Sequence, residues 1–243
     1  MWDWLKRTIT RLRGPGGPRF VIHRGYQLDG SFPHYDPRRP FRMLLYLRRK
    51  GYLRRGSLRR PQPVSPRRLR RVHDPTYLNS LEAPGTIAGI AGLPLDQRQQ
   101  DRFLEFQRLL VGGTITATRM ALDRNEIVTN LGGGLHHASR DRGTGICLFN
   151  DVAVAVRSFR ERGFTAPILI IDNADRLGSS TLSLLNWLAA LDTQGRWALR
   201  IVLSGAERLA EMASKHSLRN VERRHPAVFT LNPLSKREAC LGA

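Results

Sequence analysis

The sequence predicts an α/β fold in which helices flank a parallel sheet, and three observations support this prediction. Short apolar runs typical of strands alternate with longer segments in which apolar residues recur at three- and four-residue steps, as in helices. The run ILIID at 168–172 is a continuous apolar segment ending in a carboxylate, which is typical of a buried parallel strand. With 243 residues, 41% of them hydrophobic, the chain can bury a substantial core.

The N-terminal half is predicted to hold one strand and several helices. In chain order, the elements are a strand at 20–23, a helix at 40–49, an irregular loop at 55–71, a short helix opened by Pro75, a loop at 83–95 and one or two helices at 97–121. Prolines among arginines favour the first loop, and glycines with prolines favour the second, which we expect to border a pocket. The pair Gly112-Gly113 is expected to break the last helical segment.

The C-terminal half continues the alternation of strands and helices. A strand is predicted at 127–130, a helix at about 150–162 and a buried strand at 168–172 that would place Asp172 at the carboxyl edge of the sheet. The predicted divisions of the chain are a basic amphipathic segment at 1–19, an α/β portion at 20–172 and a short α/β segment at 173–243. A helix packed on the domain is the favoured interpretation of the first segment, and contact with a membrane surface is the alternative.

Positive charge is concentrated at the N-terminal end of the chain. The formal net charge is +20; residues 1–71 hold 20 of the 40 Lys and Arg residues against three acids, which gives +17 there and +3 elsewhere. Such a stretch could attract nucleic acid or an acidic partner through sequence-independent electrostatics. A solvated basic face is the favoured alternative, because only four of the basic residues are lysine, which indicates compositional bias. The candidate contact residues are Arg48, Arg49, Arg54, Arg55, Arg59 and Arg60.

Cysteine usage and hydropathy limit the classes of protein to consider. Cys147 and Cys240 are the only cysteines, which argues against a disulfide framework or a cysteine zinc site. Apolar runs are too short for a transmembrane helix, and the N-terminal segment lacks the apolar stretch of a secretory signal. We therefore expect a cytoplasmic protein with no transmembrane segment.

The most informative stretch lies at 131–154 and reads LGGGLHHASRDRGTGICLFNDVAV. Three glycines and two histidines follow the strand predicted at 127–130, and the stretch ends where the next helix begins. Glycines let a backbone approach a ligand closely, and open α/β sheets bind ligands at the carboxyl ends of their strands. His136 and His137 are therefore candidate functional residues; the alternative is a tight turn with two incidental imidazoles.

This stretch resembles the histone deacetylase family, which includes acetoin utilisation and acetylpolyamine relatives. The residues that carry the resemblance are GGGLHHA and GICLFNDVAVA, supported by FVIHRGYQLD at 20–29, VHDPTYLNSL at 72–81, FLEFQRLLVGGTITATRMAL at 103–122 and PILIID at 167–172. The resemblance covers about residues 20 to 172. It implies an arginase/deacetylase-like fold, here incomplete and continued by the segment at 173–243.

The resemblance also implies a chemistry and roles for particular residues. In the family, a zinc ion polarises an acetyl-amide carbonyl and activates a water molecule, so the implied substrate is an acetylated lysine or another acetyl-amide. On this analogy His137 transfers protons, His136 polarises the water and Asp172 orients one imidazole. Gly145 and Ile146 would line the substrate channel, with Ile146 at a position where an aromatic residue is commoner.

The zinc ligands that the resemblance implies are not found in this sequence. In the family motif D-x-D-x-H the second aspartate and the histidine bind zinc, and these positions are Ala174 and Arg176 here. A later aspartate ligand and the oxyanion-stabilising tyrosine also have no counterpart in these 243 residues, which removes transition-state stabilisation. We therefore expect a truncated, catalytically impaired homologue that binds no zinc.

Residues 168–239 resemble a second family, the AAA-type ATPases, from the Walker B strand to the sensor region. The residues that carry this resemblance are ILIIDNADRLGSSTLSLLNWLAAL, WALRIVLSGAERLAEM and FTLNPLSKREA. The chain has no G-x-x-x-x-G-K-[ST] phosphate loop, and Asn173 stands at the position of the catalytic glutamate. Nucleotide hydrolysis therefore ranks last, behind a catalytically silent basic module. A fusion near Asp172 is the hypothesis that joins the two resemblances.

Overall fold

The computed structural model describes the chain in two compact units, the first extending to Gly163 and the second beginning at Phe164. The described residues are 19–28, 36–54, 56–124, 128–165, 168–171, 177–190, 192–193, 196–197, 200–203 and 212. The basic segment at 1–18 and the predicted functional residue Asp172 lie outside them. The division of the chain at residue 172 stays a prediction.

A three-stranded parallel sheet forms the frame of the first unit. Its strands are β1 (Arg19–Val21), β2 (Leu58–Arg59) and β3 (Val128–Asn130), in the order β2-β1-β3. The register pairs Phe20 with Leu58 on one side and with Thr129 on the other. Because the strands are parallel, their carboxyl ends share one edge, and β3 ends there at the start of the glycine-histidine stretch. The predicted parallel α/β architecture is confirmed.

Helices connect and flank these strands. They are α1 (Arg39–Arg49), α2 (Pro66–Leu69), α3 (Pro75–Ser80), α4 (Thr86–Ala91), α5 (Gln97–Arg124) and α6 (Asp151–Arg160), with a short 3-10 turn at Arg24–Tyr26. The helices predicted at 40–49, from Pro75 and at 150–162 are confirmed, with ends shifted by a few residues. None of the helices in the described ranges combines the length and hydropathy needed to cross a membrane.

Two segments predicted as loops contain short regular elements. In 55–71, β2 pairs with β1, and α2 begins at Pro66, whose fixed φ suits the first turn of a helix. In 83–95, α4 is bounded by Gly85 and Gly92, which have φ of 82° and 66°. The loop predictions were wrong at these elements, because the proline and the glycines mark helix ends there rather than irregular structure.

The predicted break at Gly112-Gly113 was also wrong, because α5 runs through both glycines as one helix of 28 residues. A β-carbon on Gly112 would overlap the backbone carbonyl oxygen of Gln62, and one on Gly113 would overlap the Tyr26 hydroxyl. The glycines therefore allow other parts of the chain to approach the axis of α5 closely. Each costs about 1 kcal/mol of helix stability relative to alanine, and the packing they permit offsets that cost.

The core of the first unit lies around α5, the sheet and the start of α6. Its most deeply buried side chains include Tyr26, Phe103, Leu110, Leu148 and Phe149. Each large apolar side chain stabilises the fold by about 1.5–3 kcal/mol when fully buried. Two of these residues, Leu148 and Phe149, belong to the segment that carries the histidines, so that segment is held in place by the core.

The described residues of the second unit form short strands and one helix. These are β4 (Ile168–Ile171), α7 (Ser179–Ala190), β5 (Asp192–Thr193), β6 (Arg196–Trp197) and β7 (Arg200–Leu203). β4 and β7 pair in parallel, with Leu169 opposite Ile201, whereas β5 and β6 form an antiparallel pair. The parallel strand predicted at 168–172 is confirmed over its described residues.

Candidate functional site

The segment between β3 and α6, residues 131–149, carries both histidines, and we call it the Gly-His loop. Its first residue is tied to the sheet, because Leu131 N donates to the carbonyl oxygen of Val21 at 3.0 Å. Farther along, the carbonyl oxygen of Leu135 accepts from Asp151 N at 3.1 Å. The loop is therefore anchored both to the carboxyl edge of the sheet and to the first turn of α6.

His136 and His137 lie side by side with exposed side chains. Their ring centroids are 4.2 Å apart, with 36° between the ring planes. His136 Nδ1 lies 3.0 Å from the carbonyl oxygen of Gly134. Because a carbonyl oxygen only accepts hydrogen bonds, Nδ1 must carry the proton, which leaves the lone pair of a neutral ring on Nε2. The structure thus brings the predicted pair together and assigns one ring a tautomer.

A two-residue turn places Gly145 and Ile146 next to His137. Thr144 and Cys147 exchange backbone hydrogen bonds of 3.2 and 2.9 Å. The two central residues have φ of 55° and 70°, positive at both positions as in a type I′ turn. Ile146 is the one non-glycine residue with positive φ among the described residues. This conformation costs a β-branched residue about 1–3 kcal/mol, and such strain is concentrated at functional sites.

A cavity of about 760 Å³ opens beside this turn. His137, Gly145 and Ile146 contribute to its wall, which also includes apolar side chains and one arginine: Met43, Ile90, Leu93, Leu135 and Arg39. Its volume lies within the range of about 300–1,000 Å³ that is usual for small-molecule sites. Residues 90–93 line it, so the expectation that the segment 83–95 borders a pocket is confirmed.

The side chain of Asn150 connects α6 to the Gly-His loop. Its Oδ1 accepts from Ala153 N at 3.0 Å, which caps the helix. Its Nδ2 donates to the carbonyl oxygens of His136 and Ala138, each at 3.2 Å. One amide group therefore satisfies the helix end and fixes the backbone on both sides of His137.

His73 holds the Gly-His loop near Ser139 and is buried, with 1% of its surface exposed. Its Nδ1 lies 2.9 Å from the carbonyl oxygen of Ser139, and its Nε2 accepts from Asn150 N at 3.2 Å. Only the neutral ring with its proton on Nδ1 satisfies both contacts. Burial lowers the pKa of His73, although hydrogen bonds to backbone carbonyls oppose the shift.

This lowered pKa predicts a loss of stability in mild acid. The unfolded chain takes up a proton at His73 as the pH falls through about 6.5, whereas the folded chain resists it. The free energy of unfolding should therefore fall below about pH 6.5. Urea denaturation between pH 7.5 and 5.5 measures how the free energy of unfolding depends on pH. The His73→Gln variant should be less stable, and its stability should depend less on pH. Parallel curves for the two proteins would contradict the assignment.

Tyr77 holds the backbone just after the turn at 144–147. Its hydroxyl donates to the carbonyl oxygen of Leu148 at 2.8 Å in a buried environment. Burial raises the pKa of Tyr77. Tyr77→Phe leaves that carbonyl without its donor, so we expect a loss of about 1–2 kcal/mol in the free energy of unfolding. Tyr52→Phe is the control, since that side chain is 40% exposed and should change stability by less than about 0.5 kcal/mol. Equal effects of the two substitutions would refute this role of Tyr77.

A buried polar network beneath the Gly-His loop was not predicted from the sequence. Tyr26 Oη donates to Asn130 Oδ1 at 2.8 Å, and Asn130 Nδ2 donates to Thr114 Oγ1 at 3.0 Å. Thr114 Oγ1 donates to Asp151 Oδ2 at 2.5 Å, and the same oxygen accepts from Gly134 N at 3.0 Å. The one available signal was the pair Asn150-Asp151 at a helix start, which is ordinarily interpreted as a cap.

Five of the six basic residues proposed as contacts for nucleic acid or an acidic partner are described, and none of the five lines this cavity. Arg48, Arg49, Arg54 and Arg60 are exposed, and Arg55 lies outside the described residues. Arg59 is half-buried, and its guanidinium donates to the carbonyl oxygens of Gly56 and Leu58. Arg59 is therefore engaged with its own loop, and the contact surface stays a prediction.

The residues at the implied metal positions do not fit zinc. Ala174 offers no donor atom, and Arg176 carries a permanent positive charge that repels a cation. Both lie outside the described residues, as does Asp172. In the part of the chain that the structure describes, no three His, Cys, Asp or Glu side chains are grouped as a metal site. The roles of Asp172 and of the histidine pair stay predictions.

Comparison with known proteins places this chain in a family. The family model for the histone deacetylase domain matches residues 34–174. An uncharacterised protein of Picosynechococcus sp. is 32% identical over 166 residues, covering 66% of this chain and 53% of the relative. Histone deacetylase 2 of Arabidopsis thaliana is 33% identical over 156 residues, covering 59% and 40%. The acetoin utilization protein AcuC of Bacillus subtilis is 33% identical over 129 residues, covering 48% and 32%.

Solved structures support the same fold. The crystal structure of an HDAC homolog from Aquifex aeolicus aligns with a TM-score of 0.54 at 20% identity, over 76% of this chain and 50% of that chain. This chain spans about half the length, or less, of the curated relatives it matches. The family match ends at residue 174 and does not cover most of the ATPase-like segment at 168–239. The ATPase resemblance and the fusion hypothesis therefore stay predictions. Because the family model covers more than half of the sequence, the chain belongs to the histone deacetylase family.

Proposed function

We propose that this chain binds an acetylated lysine, or a related acetyl-amide, in the cavity beside the Gly-His loop and is impaired as a zinc-dependent hydrolase. The observation that carries the proposal is the position of the histidine pair, with His137 in the cavity wall next to the turn at 145–146. An aliphatic lysine chain and an acetyl methyl group suit apolar walls, and the amide between them suits an imidazole that hydrogen-bonds.

The walls of the cavity support binding of a flexible apolar chain with one polar group. Met43, Ile90 and Ile146 offer apolar contact, which contributes about 0.8 kcal/mol for each methylene group buried. His137 is exposed, so its ring can meet an amide without first losing a buried partner. In this proposal His137 contacts the amide, and His136 fixes its neighbour's position through the contact between their rings.

The proposed impairment rests on Ala174 and Arg176. In intact relatives, zinc supplies the Lewis acid that polarises the carbonyl and lowers the pKa of water. Proton transfer by a histidine typically contributes about 10²–10⁴-fold, whereas enzymes accelerate reactions by about 10⁶-fold or more. An imidazole pair without a Lewis acid therefore falls well short of efficient amide hydrolysis, and Asp172 can orient a ring but not replace the metal.

Calorimetric titration with a matched pair of peptides tests the proposal. We expect a peptide with one acetyl-lysine to bind and the same peptide with unmodified lysine to bind at least about tenfold more weakly, because its charged amine must be desolvated. Metal analysis of the purified chain should give substoichiometric zinc. Equal affinity for both peptides would reject the proposed ligand, and stoichiometric zinc would reject the proposed impairment.

A further inference from the structure

Asp151 is a buried carboxylate that the chemistry discussed so far does not use. Its side chain is fully buried at the first turn of α6. Its Oδ2 accepts two hydrogen bonds, from Thr114 Oγ1 at 2.5 Å and from Gly134 N at 3.0 Å. Its Oδ1 has no hydrogen-bond partner among the described residues. Since Asn150 already caps the helix, a second, desolvated acid at this position is costly for capping alone.

The contacts of Asp151 lead to His136 through a single residue. Gly134 donates its N–H to Asp151 Oδ2, and the carbonyl oxygen of the same residue accepts from His136 N at 3.2 Å and from His136 Nδ1 at 3.0 Å. Gly134 has a φ of 101°, a conformation that other residues rarely adopt. Fixing the Gly134 amide therefore fixes the peptide unit whose neighbouring carbonyl accepts from His136 Nδ1.

The opposite side of Asp151 rests on rigid elements. Thr114 lies in α5, and its hydroxyl also accepts from Asn130 Nδ2, at the end of β3. Asn130 in turn is held by the hydroxyl of Tyr26, which is completely buried. Thr114 therefore ties Asp151 to the longest helix and the sheet edge, whereas the Gly-His loop contacts Asp151 through the separate bond from Gly134 N.

We infer that Asp151 is a positioning residue, which holds His136 in the Nδ1-protonated tautomer by accepting the Gly134 amide. This inference rests on the proposed function only where it concerns ligand affinity. The role needs a hydrogen-bond acceptor at Oδ2 and not a negative charge. Asparagine at position 151 should therefore preserve it, and alanine should abolish it.

The test follows the ring nitrogens of His136 by ¹⁵N NMR, together with stability and affinity for the acetyl-lysine peptide. The wild type and Asp151→Asn should show the Nδ1-protonated tautomer. Asp151→Ala should show a mixture with the Nε2-protonated form and an affinity about tenfold lower, because the backbone that carries the histidine pair is no longer fixed. Thr114→Val is the matched control, because it removes the other donor to the same oxygen. It should lower stability but leave tautomer and affinity unchanged.

Each outcome separates this inference from the proposed function. A folded Asp151→Ala protein with an unchanged His136 tautomer overturns the inference. If Asp151→Ala does not fold, hydrogen exchange of the Gly134 amide in the wild type provides the test. Protection of this amide supports its bond to Asp151, and exchange at the rate of an unprotected glycine overturns the inference. If no peptide binds to the wild type, the proposed function fails, whereas the tautomer measurement still tests Asp151.

Discussion

Replacing Gly112 with alanine is expected to lower the free energy of unfolding by about 3 kcal/mol, near the upper end of the usual cost of overpacking. The new β-carbon would occupy the space of the Gln62 carbonyl oxygen, whose segment packs against α5. That segment is itself fixed, because Val64 N donates to the carbonyl oxygen of Arg108 at 2.9 Å. The overlap is between the helix α5 and the backbone at Gln62, and neither can move aside as a flexible side chain would. Chemical denaturation measures the effect.

Gly89→Ala is the matched control for this substitution. Gly89 also lies inside a helix, α4, but a β-carbon there would meet no atom within 4 Å. Alanine should therefore raise the free energy of unfolding by about 0.5–1 kcal/mol through helix propensity. The opposite signs expected for the two substitutions distinguish the effect of close backbone approach from that of helix propensity. A stabilising Gly112→Ala would contradict the close approach of Gln62 to α5.

The second large effect is expected at His137. Removing its ring with His137→Ala should weaken binding of the acetyl-lysine peptide by about tenfold or more, since both a hydrogen bond and part of the cavity wall are lost. The side chain is exposed, so thermal stability should change little. Calorimetric titration of the variant gives the change in affinity.

His23→Ala is the control for loss of an imidazole as such. His23 is outside the cavity wall, and its Nδ1 accepts from Gly25 N at 3.0 Å in the turn after β1. This variant should lose some stability and keep its affinity for the peptide. If both variants lose affinity equally, the cavity beside the Gly-His loop is not the binding site.

The sequence predicted those features of the fold that depend on neighbouring residues. The apolar pattern of β1 and β4, the amphipathic spacing of α5 and the glycine-histidine stretch are local signals, and the structure forms strands, a helix and a loop at these positions. The glycine pair in α5 misled the prediction because its reason is not local. Gln62 requires glycine at position 112 and Tyr26 requires it at position 113, and both lie far earlier in the chain than α5.

The candidate site was predictable only in part for the same reason. His136 and His137 follow directly from a short motif, and their proximity needs no tertiary information. Most residues that hold the loop come from distant parts of the chain, among them Tyr26, His73 and Thr114. The sequence around each of these residues gives no sign of the partner, because the hydrogen bonds join positions that are far apart in the chain.

We propose that the chain binds an acetyl-amide at the histidine pair without hydrolysing it efficiently. The most direct test is an NMR titration of a lysine peptide carrying a ¹³C-labelled acetyl group, with zinc present in the buffer. The methyl signal reports binding by its shift and hydrolysis by the separate signal of free acetate, so one experiment follows both.

We expect a saturable shift of the methyl signal, reduced in His137→Ala, and no growth of the acetate signal over hours. Sustained release of acetate that His137→Ala abolishes would contradict the proposed impairment. A methyl signal that stays unchanged at saturating protein would contradict binding itself.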